Sequence, residues 1–432
     1  MRNKANAVLK YITVFICTVV FLTALLSLSA LIPRKFINNN MKTSSEYLCE
    51  GKLFGEVVSG IEGSKVDRYA DSILLGIAYQ YDSGYPLSSI MESSYYHDSF
   101  KNENDNLYIA VTQGKEANQQ YMRYWHGSIA IVRPLLTVMN IRQIYILNFI
   151  VMMLLLIVLT VLLVRNRAYI AAIGIVAGFV GTSSWFVTFS LEYTWMYLLT
   201  LVMSIILVLM IKKQKVSKLG FLFLIGGICT NYLDFLTTET MTLLIPLLLF
   251  VYFEVKNNKT TEYRHIIISC IKFSVLWLSG YAGMWIMKWI LAAVVLNMNT
   301  LPYVTGHIEE RLGGNIGISP FEYMTGAIIN NVKCIFPFEY GVIGILSFIV
   351  IMIGILYISY VYHKKNISRK LVLTYAVIGI IPYIRYLILH NHSYLHYFFT
   401  YRAQMTTIMA VVFIVGSLVD WRYIFHGNAR RN

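Results

Sequence analysis

The chain has 432 residues, of which 57% are apolar (AVILMFWYC) and only 13% charged, and its formal net charge is +14. Soluble domains carry about 25% charged residues, so this balance, with a mean hydropathy of +0.59, excludes a soluble enzyme. Five cysteines over such a length exclude a disulfide-built domain, and none stands in a CxxC or Cys/His spacing that would hold zinc.

A membrane span needs roughly 20 apolar residues to cross about 30 Å of hydrocarbon. Ten runs are candidates: 11–32, 144–164, 168–188, 194–211, 218–235, 240–254, 266–295, 340–362, 371–389 and 404–420. The run at 240–254 is short, and that at 266–295 is long enough to tilt or to break near Gly280. The basic flank of the first run resembles a signal peptide, but its apolar stretch is too long for a typical one, and it is expected to be a retained span.

The connections carry a charge alternation. Arg2, Lys4 and Lys10 precede the first run, and Arg165 and Arg167 follow the second. The same side then holds Lys212, Lys213, Lys215 and Lys218; Lys256, Lys259 and Arg264; Lys364, Lys365, Arg369 and Lys370; and Arg422, Arg430 and Arg431. Only Glu254, Glu262 and Asp420 among the 22 acids join these nineteen cations. The positive-inside rule then places both termini in the cytoplasm and requires an even number of spans. The expected fold is an all-α polytopic membrane protein with about ten transmembrane helices. Residues 1–32 form the first transmembrane helix, 33–143 a large helical extracytoplasmic loop, and 144–432 a bundle of about nine helices with short loops. The excess of basic residues is a topology signal with some attraction to anionic lipid, so no nucleic-acid partner is expected.

Within the outer loop, which holds twelve of the acids, Val66, Ala70, Ile73, Leu74, Ile77 and Tyr81 recur at helical spacing and predict a helix over 66–81. Residues 98–118 are polar and read as a mobile loop. Tyr121 to Leu136 reads as a second amphipathic stretch ending at Arg133-Pro134, near the membrane surface. No Walker or Rossmann glycine pattern is present, and the cytoplasmic connections are too short for a catalytic domain. The chemistry is therefore expected at the outer face of the cell membrane.

Ionisable groups at membrane depth are functional candidates. Glu192, Asp234 and Glu239 lie at the outer ends of spans, and Arg385, His390, His392, His396 and Arg402 flank the last outer loop. Carboxylates facing such cations suit a lipid phosphate whose leaving charge must be neutralised. Asp67 and Asp71, four apart, share one helix face; they could act together, hold a divalent cation such as Mg or Mn, or form a solvated face. Arg123 and His126 are candidates for contact with substrate, although Tyr121, Tyr124 and Trp125 beside them also suit an interfacial aromatic belt. Asp234 could orient substrate or cap the next helix, with Glu239 beside it. His396, Arg402 and His392 are candidates for a phosphate clamp, against snorkelling of Arg402 to the interface. The three histidines could also take a metal, but no local carboxylate accompanies them. Cys49 and Cys334, both on the outer side, could pair.

The arrangement resembles the GT-C superfamily of membrane glycosyltransferases, and is most similar to uncharacterised Gram-positive members. The resemblance is carried by the first span followed by a large outer loop with Asp67-Arg-Tyr-Ala-Asp71, then by Arg123-Tyr-Trp-His-Gly127, and by Asn391 to His396 with Tyr401-Arg402 near the last span. The adjacent acidic pair usual in that superfamily is replaced here by two acids four apart. The resemblance implies a loop carboxylate acting as general base on an acceptor hydroxyl, with Asp71 ranked ahead of Asp67. It implies inversion at the anomeric carbon, a polyprenyl-phosphate-linked sugar donor and a cell-envelope glycan or lipid acceptor. A transporter or flippase of a lipid-linked saccharide is the rival reading; it predicts charges near the middle of spans, where this sequence has almost none. An envelope polymerase or ligase would share the donor but usually carries its large loop later in the chain.

Overall fold

The computed structural model describes residues 2–257, 263–303, 305–306, 319–364 and 368–421, with side chains from Asn6 onward. Of the charges that set the predicted orientation, the side chains of Arg2 and Lys4 and residues Lys259, Glu262, Lys365, Arg422, Arg430 and Arg431 lie outside the described residues.

Among the described residues the chain is helical, with no strand beyond three isolated bridges. In chain order the helices are α1 (Arg2–Ala30), α2 (Arg34–Cys49), α3 (Arg68–Gln80), α4 (Pro86–Glu92), α5 (Glu103–Gln113), α6 (Ile129–Leu135), α7 (Ile141–Arg165), α8 (Tyr169–Gly181) and α9 (Leu191–Lys212). They continue with α10 (Leu219–Leu233), α11 (Met241–Asn257), α12 (Tyr263–Leu296), α13 (Pro320–Lys333), α14 (Gly341–Val361), α15 (Arg369–Ile388), α16 (His390–Leu395), α17 (Tyr397–Thr400) and α18 (Met405–Leu418).

Eight helices among the described residues are long and apolar enough to cross a membrane, and the protein is membrane-embedded. All ten apolar runs of the sequence are helical, but two fall short of that length. In the third, α8 has 13 residues and passes into a 3-10 turn over Ser184–Phe189, so it rises only about 20 Å as α-helix. In the sixth, α11 has 17 residues with Pro246 inside.

The long run at 266–295 does not break at Gly280. α12 is continuous over 34 residues, about 51 Å at 1.5 Å per residue, and so outruns the hydrocarbon. Gly280 serves the packing instead. A Cβ there would lie 2.3 Å from the Leu224 carbonyl oxygen, and one on Gly227 would lie 2.0 Å from that of Trp277. The two glycines let α10 and α12 meet backbone to backbone, the close approach that small residues allow between membrane helices. Gly227→Ala is therefore expected to lower stability by about 1–3 kcal/mol through overpacking, read as a drop in unfolding temperature in detergent.

The far part of α12 is embraced by the 31–140 segment. Lys288, fully buried, donates from Nζ to the carbonyls of Ile90 (2.7 Å) and Met91 (3.1 Å), and the Trp125 indole donates to the Met284 carbonyl at 2.9 Å. This segment is a folded cap. The predicted helix at 66–81 is α3, and α2 precedes it. Residues 98–118, expected as a mobile loop, contain α5, capped by Asn102 at its start and by Gly114 at φ 65° at its end. Over 121–136 only α6 is helical, because His126 takes φ 53° and turns the chain.

Candidate functional site

The Glu62–Ser64 turn leading into α3 is pinned by the last helical segment. Arg402, fully buried, donates from Nη2 to the Gly63 carbonyl at 2.8 Å. The Tyr401 hydroxyl donates to the same carbonyl (3.1 Å) and to that of Thr182 (2.9 Å), while the Tyr397 hydroxyl donates to Glu62 Oε2 (2.9 Å). A Cβ on Gly63 would strike the Tyr401 hydroxyl at 2.7 Å, so the turn and residues 397–402 are fitted together.

Three residues beyond this turn Asp67 caps α3, its Oδ1 accepting from the Ala70 amide at 2.8 Å. Its carboxyl faces a cavity of about 630 Å³, within the range of small-molecule sites. Asp67 and Glu192 supply the carboxyls of the lining, and Arg123, His126, His392 and His396 its basic side chains, amid aromatic rings that include Tyr69, Tyr124, Phe235 and Tyr303. Asp67 is hydrogen-bonded to Glu192. Burial pushes the Asp67 carboxyl up to about 6, against the opposing pull of the Ala70 amide and of Glu192. A carboxyl with that poise is ionised at neutral pH and basic enough to take a proton.

No family model, no curated protein and no solved structure matches this chain. The reading of the site therefore rests on its own geometry.

That geometry divides the residues singled out in the sequence into two groups. Asp67, Arg123, His126, His392 and His396 line the one cavity, and Glu192 joins them. Asp71 and Arg402 stand outside its lining. Asp71 is fully buried, with every oxygen engaged: the Tyr145 hydroxyl donates to Oδ2, and Oδ1 accepts from the Leu191 amide (2.8 Å), the Ser190 hydroxyl (3.1 Å) and the Glu192 amide (3.3 Å). It sits at the N-terminus of α9, where the unpaired amides and the helix dipole favour negative charge. Its carboxyl is nevertheless pushed up to about 7 by burial. Arg402 donates to the Gly63 and Phe398 carbonyls from its two terminal nitrogens, with its guanidinium over the Tyr193 ring.

Asp234 and Glu239 are also held away from the cavity lining. Asp234 closes its own turn, accepting from the Leu236 amide (2.9 Å), the Thr237 amide (3.1 Å) and the Thr237 hydroxyl (2.6 Å). Glu239 forms a buried fork with Arg385, at 2.9 and 3.2 Å. Arg385 also donates to the Leu236 carbonyl at 2.6 Å and to Ser393 at 3.1 Å, and His392 Nε2 lies 2.8 Å from the same carbonyl. This knot fixes the turn that carries Phe235, and with it one wall of the cavity. His390, half-buried at the head of α16, lies 3.3 Å from the Leu387 carbonyl of its own segment through Nδ1 and packs against the Tyr323 ring of α13.

Cys49 and Cys334 are not paired; Cys49 donates to Asp105 at 3.2 Å, and Cys334 is buried. Among the described residues no group of three or more His, Cys, Asp or Glu is placed to hold a metal ion. A divalent cation at Asp67 and Asp71 together does not fit, because the Asp71 oxygens are already taken by donors.

The sequence marks Glu192 only as an acid at the outer end of a span and assigns it no role. Its signal is its position, an isolated acid in the first turn of an otherwise apolar span, where only a polar neighbour makes a carboxyl tolerable.

Proposed function

We propose that this protein is a glycosyltransferase that moves a sugar from a polyprenyl-phosphate donor to an extracytoplasmic acceptor, a glycan or lipid of the cell envelope. The observation that carries this reading is the single cavity in which a basic-poised carboxyl, Asp67, shares walls with Arg123, His392 and His396. In the accompanying topology the ten apolar helices all cross, both termini are cytoplasmic, and the cavity opens outside.

In the reaction the acceptor oxygen attacks the anomeric carbon. The bond from that carbon to the phosphate oxygen breaks, and the hydroxyl proton passes to Asp67. Glu192, hydrogen-bonded to Asp67, orients that carboxylate. The growing charge on the departing polyprenyl phosphate is met by Arg123, whose planar fork matches phosphate oxygens, and by the two histidines. Arg402 acts at one remove by holding the turn from which Asp67 projects.

The test is a proteoliposome assay with synthetic polyprenyl-phosphate hexoses, following release of polyprenyl phosphate. The base must be ionised, so activity is expected to be low below pH 5, to rise through about pH 6 and to level above pH 7, following Asp67. Absence of release from every donor, or a rate that does not change between pH 5 and 7.5, would overturn the reading.

A further inference from the structure

His126 is held by unusual means. It takes φ 53°, in the left-handed region that most side chains avoid. Its neighbours leave no alternative: the Trp125 indole is tied to Met284 in α12, and the Gly127 amide donates to the Tyr232 carbonyl at 2.9 Å. A Cβ at Gly127 would lie 2.4 Å from that same carbonyl oxygen. The imidazole is thereby set into the cavity wall, 1% exposed.

Its two nitrogens are in different situations. Nε2 lies 3.0 Å from the Tyr121 carbonyl oxygen, and only an N–H can face a carbonyl, so Nε2 carries the proton. In a neutral ring Nδ1 is then a lone-pair acceptor. Burial and the Lys288 ammonium hold the ring well below the usual imidazole range, at about 3, so it stays neutral at physiological pH. Nδ1 has no protein donor. Around it stand three rings, Tyr121 at 5.0 Å, Phe235 at 5.2 Å and Tyr124 at 6.2 Å between centroids.

A buried acceptor among aromatic faces is matched by a ligand with an apolar face and a hydroxyl at its edge, which is the chemistry of a pyranose ring. A neutral acceptor offers nothing to the phosphodiester of a lipid-linked sugar, which has no proton to give at neutral pH. We propose that His126 is the sugar-recognition point of the cavity: the transferred hexose packs on Tyr121, Tyr124 and Phe235 and donates one hydroxyl to His126 Nδ1. The proposal rests on the glycosyl-transfer reading and assigns within it a division of labour, His126 for the sugar and Arg123, His392 and His396 for the phosphate.

The experiment measures binding of methyl hexopyranosides and their monodeoxy analogues by saturation-transfer NMR, and of polyprenyl phosphate and polyprenyl-phosphate hexoses by thermal shift, on purified wild type and His126→Phe. The wild type is expected to lose about tenfold in affinity when one particular hydroxyl is removed, because a site built to accept a hydroxyl rejects the analogue lacking it. His126→Phe should bind hexosides about tenfold more weakly, ignore that deoxygenation, and keep wild-type affinity for sugar-free polyprenyl phosphate. If every deoxy analogue binds the wild type like its parent, or no hexoside binds it, the assignment is overturned without reference to any variant. Equal weakening of sugar-free polyprenyl phosphate in His126→Phe also overturns it, since His126 would then serve the phosphate. If hexosides behave as expected while no lipid-linked sugar binds or turns over, the transferase reading fails and the sugar site stands.

Discussion

Asp67→Asn is expected to reduce glycosyl transfer by about 10²–10⁴-fold, the contribution of a positioned general base, in protein that folds and accumulates as the wild type does. Asparagine caps a helix as well as aspartate, so the bond from the Ala70 amide to residue 67 survives the change and α3 keeps its start. What is lost is the basic oxygen facing the cavity. Asp71→Asn should behave in the opposite way. Two amides, a serine hydroxyl and a tyrosine hydroxyl all donate to the Asp71 carboxylate, and an amide side chain would set an N–H₂ against some of those donors. Charge-assisted bonds of this kind contribute about 1.5–3 kcal/mol, so Asp71→Asn should unfold at a lower temperature while its folded fraction retains turnover. The measurement is specific activity per folded molecule, with folding read by size-exclusion fluorescence. A folded Asp67→Asn variant with more than a tenth of wild-type activity would remove the base role from this residue.

The contrast between these two acids marks how far the sequence could be read. Four-residue spacing predicts that Asp67 and Asp71 share one helix face, but α3 begins at Arg68 with Asp67 as its N-cap, and the two carboxyls face different surroundings. Which of them meets the cavity and which meets the end of α9 depends on where α9 begins relative to α3, and that is a tertiary fact with no trace in either segment. Arg402 shows the same limit. A terminal arginine beside aromatics reads alike as a phosphate clamp or as a strut, and the contact of Arg402 with the Gly63 carbonyl is visible only in the fold. The apolar runs were legible because crossing hydrocarbon leaves a span-length signature in composition. The helix α5 was not, since the buried face of its first turn is polar: Asn104 donates to the Leu48 carbonyl and accepts from Ser72, and Glu103 pairs with Asn106 and His97. A hydropathy pattern scores such residues as exposed, because it cannot see that their hydrogen bonds are satisfied inside. The cavity wall at 121–128 escaped for a related reason, as the left-handed turn at His126 interrupts a stretch whose composition suits a helix.

The second large effect is expected at Arg385 and Glu239. Both side chains are 7% exposed, and the pair is bidentate. Removing either partner strands a charge in a site from which water is excluded, which costs about 3–5 kcal/mol. Glu239→Gln and Arg385→Met should each therefore abolish or sharply reduce the yield of folded protein, measured as the monodisperse fraction after detergent extraction. The double variant Arg385→Met with Glu239→Met should recover much of that yield, because two apolar side chains of similar volume leave no uncompensated charge. It should not recover activity. Arg385 also holds the Leu236 carbonyl and Ser393, so its loss frees the turn bearing Phe235 and the start of α16 bearing His392, both of which line the cavity. A double variant that folds but turns over slowly would separate the two duties of this knot, since stability needs only that the charges balance, whereas the cavity wall needs the guanidinium itself. Full activity in the folded double variant would instead mean that the turn holds its shape through Asp234 and Thr237 alone.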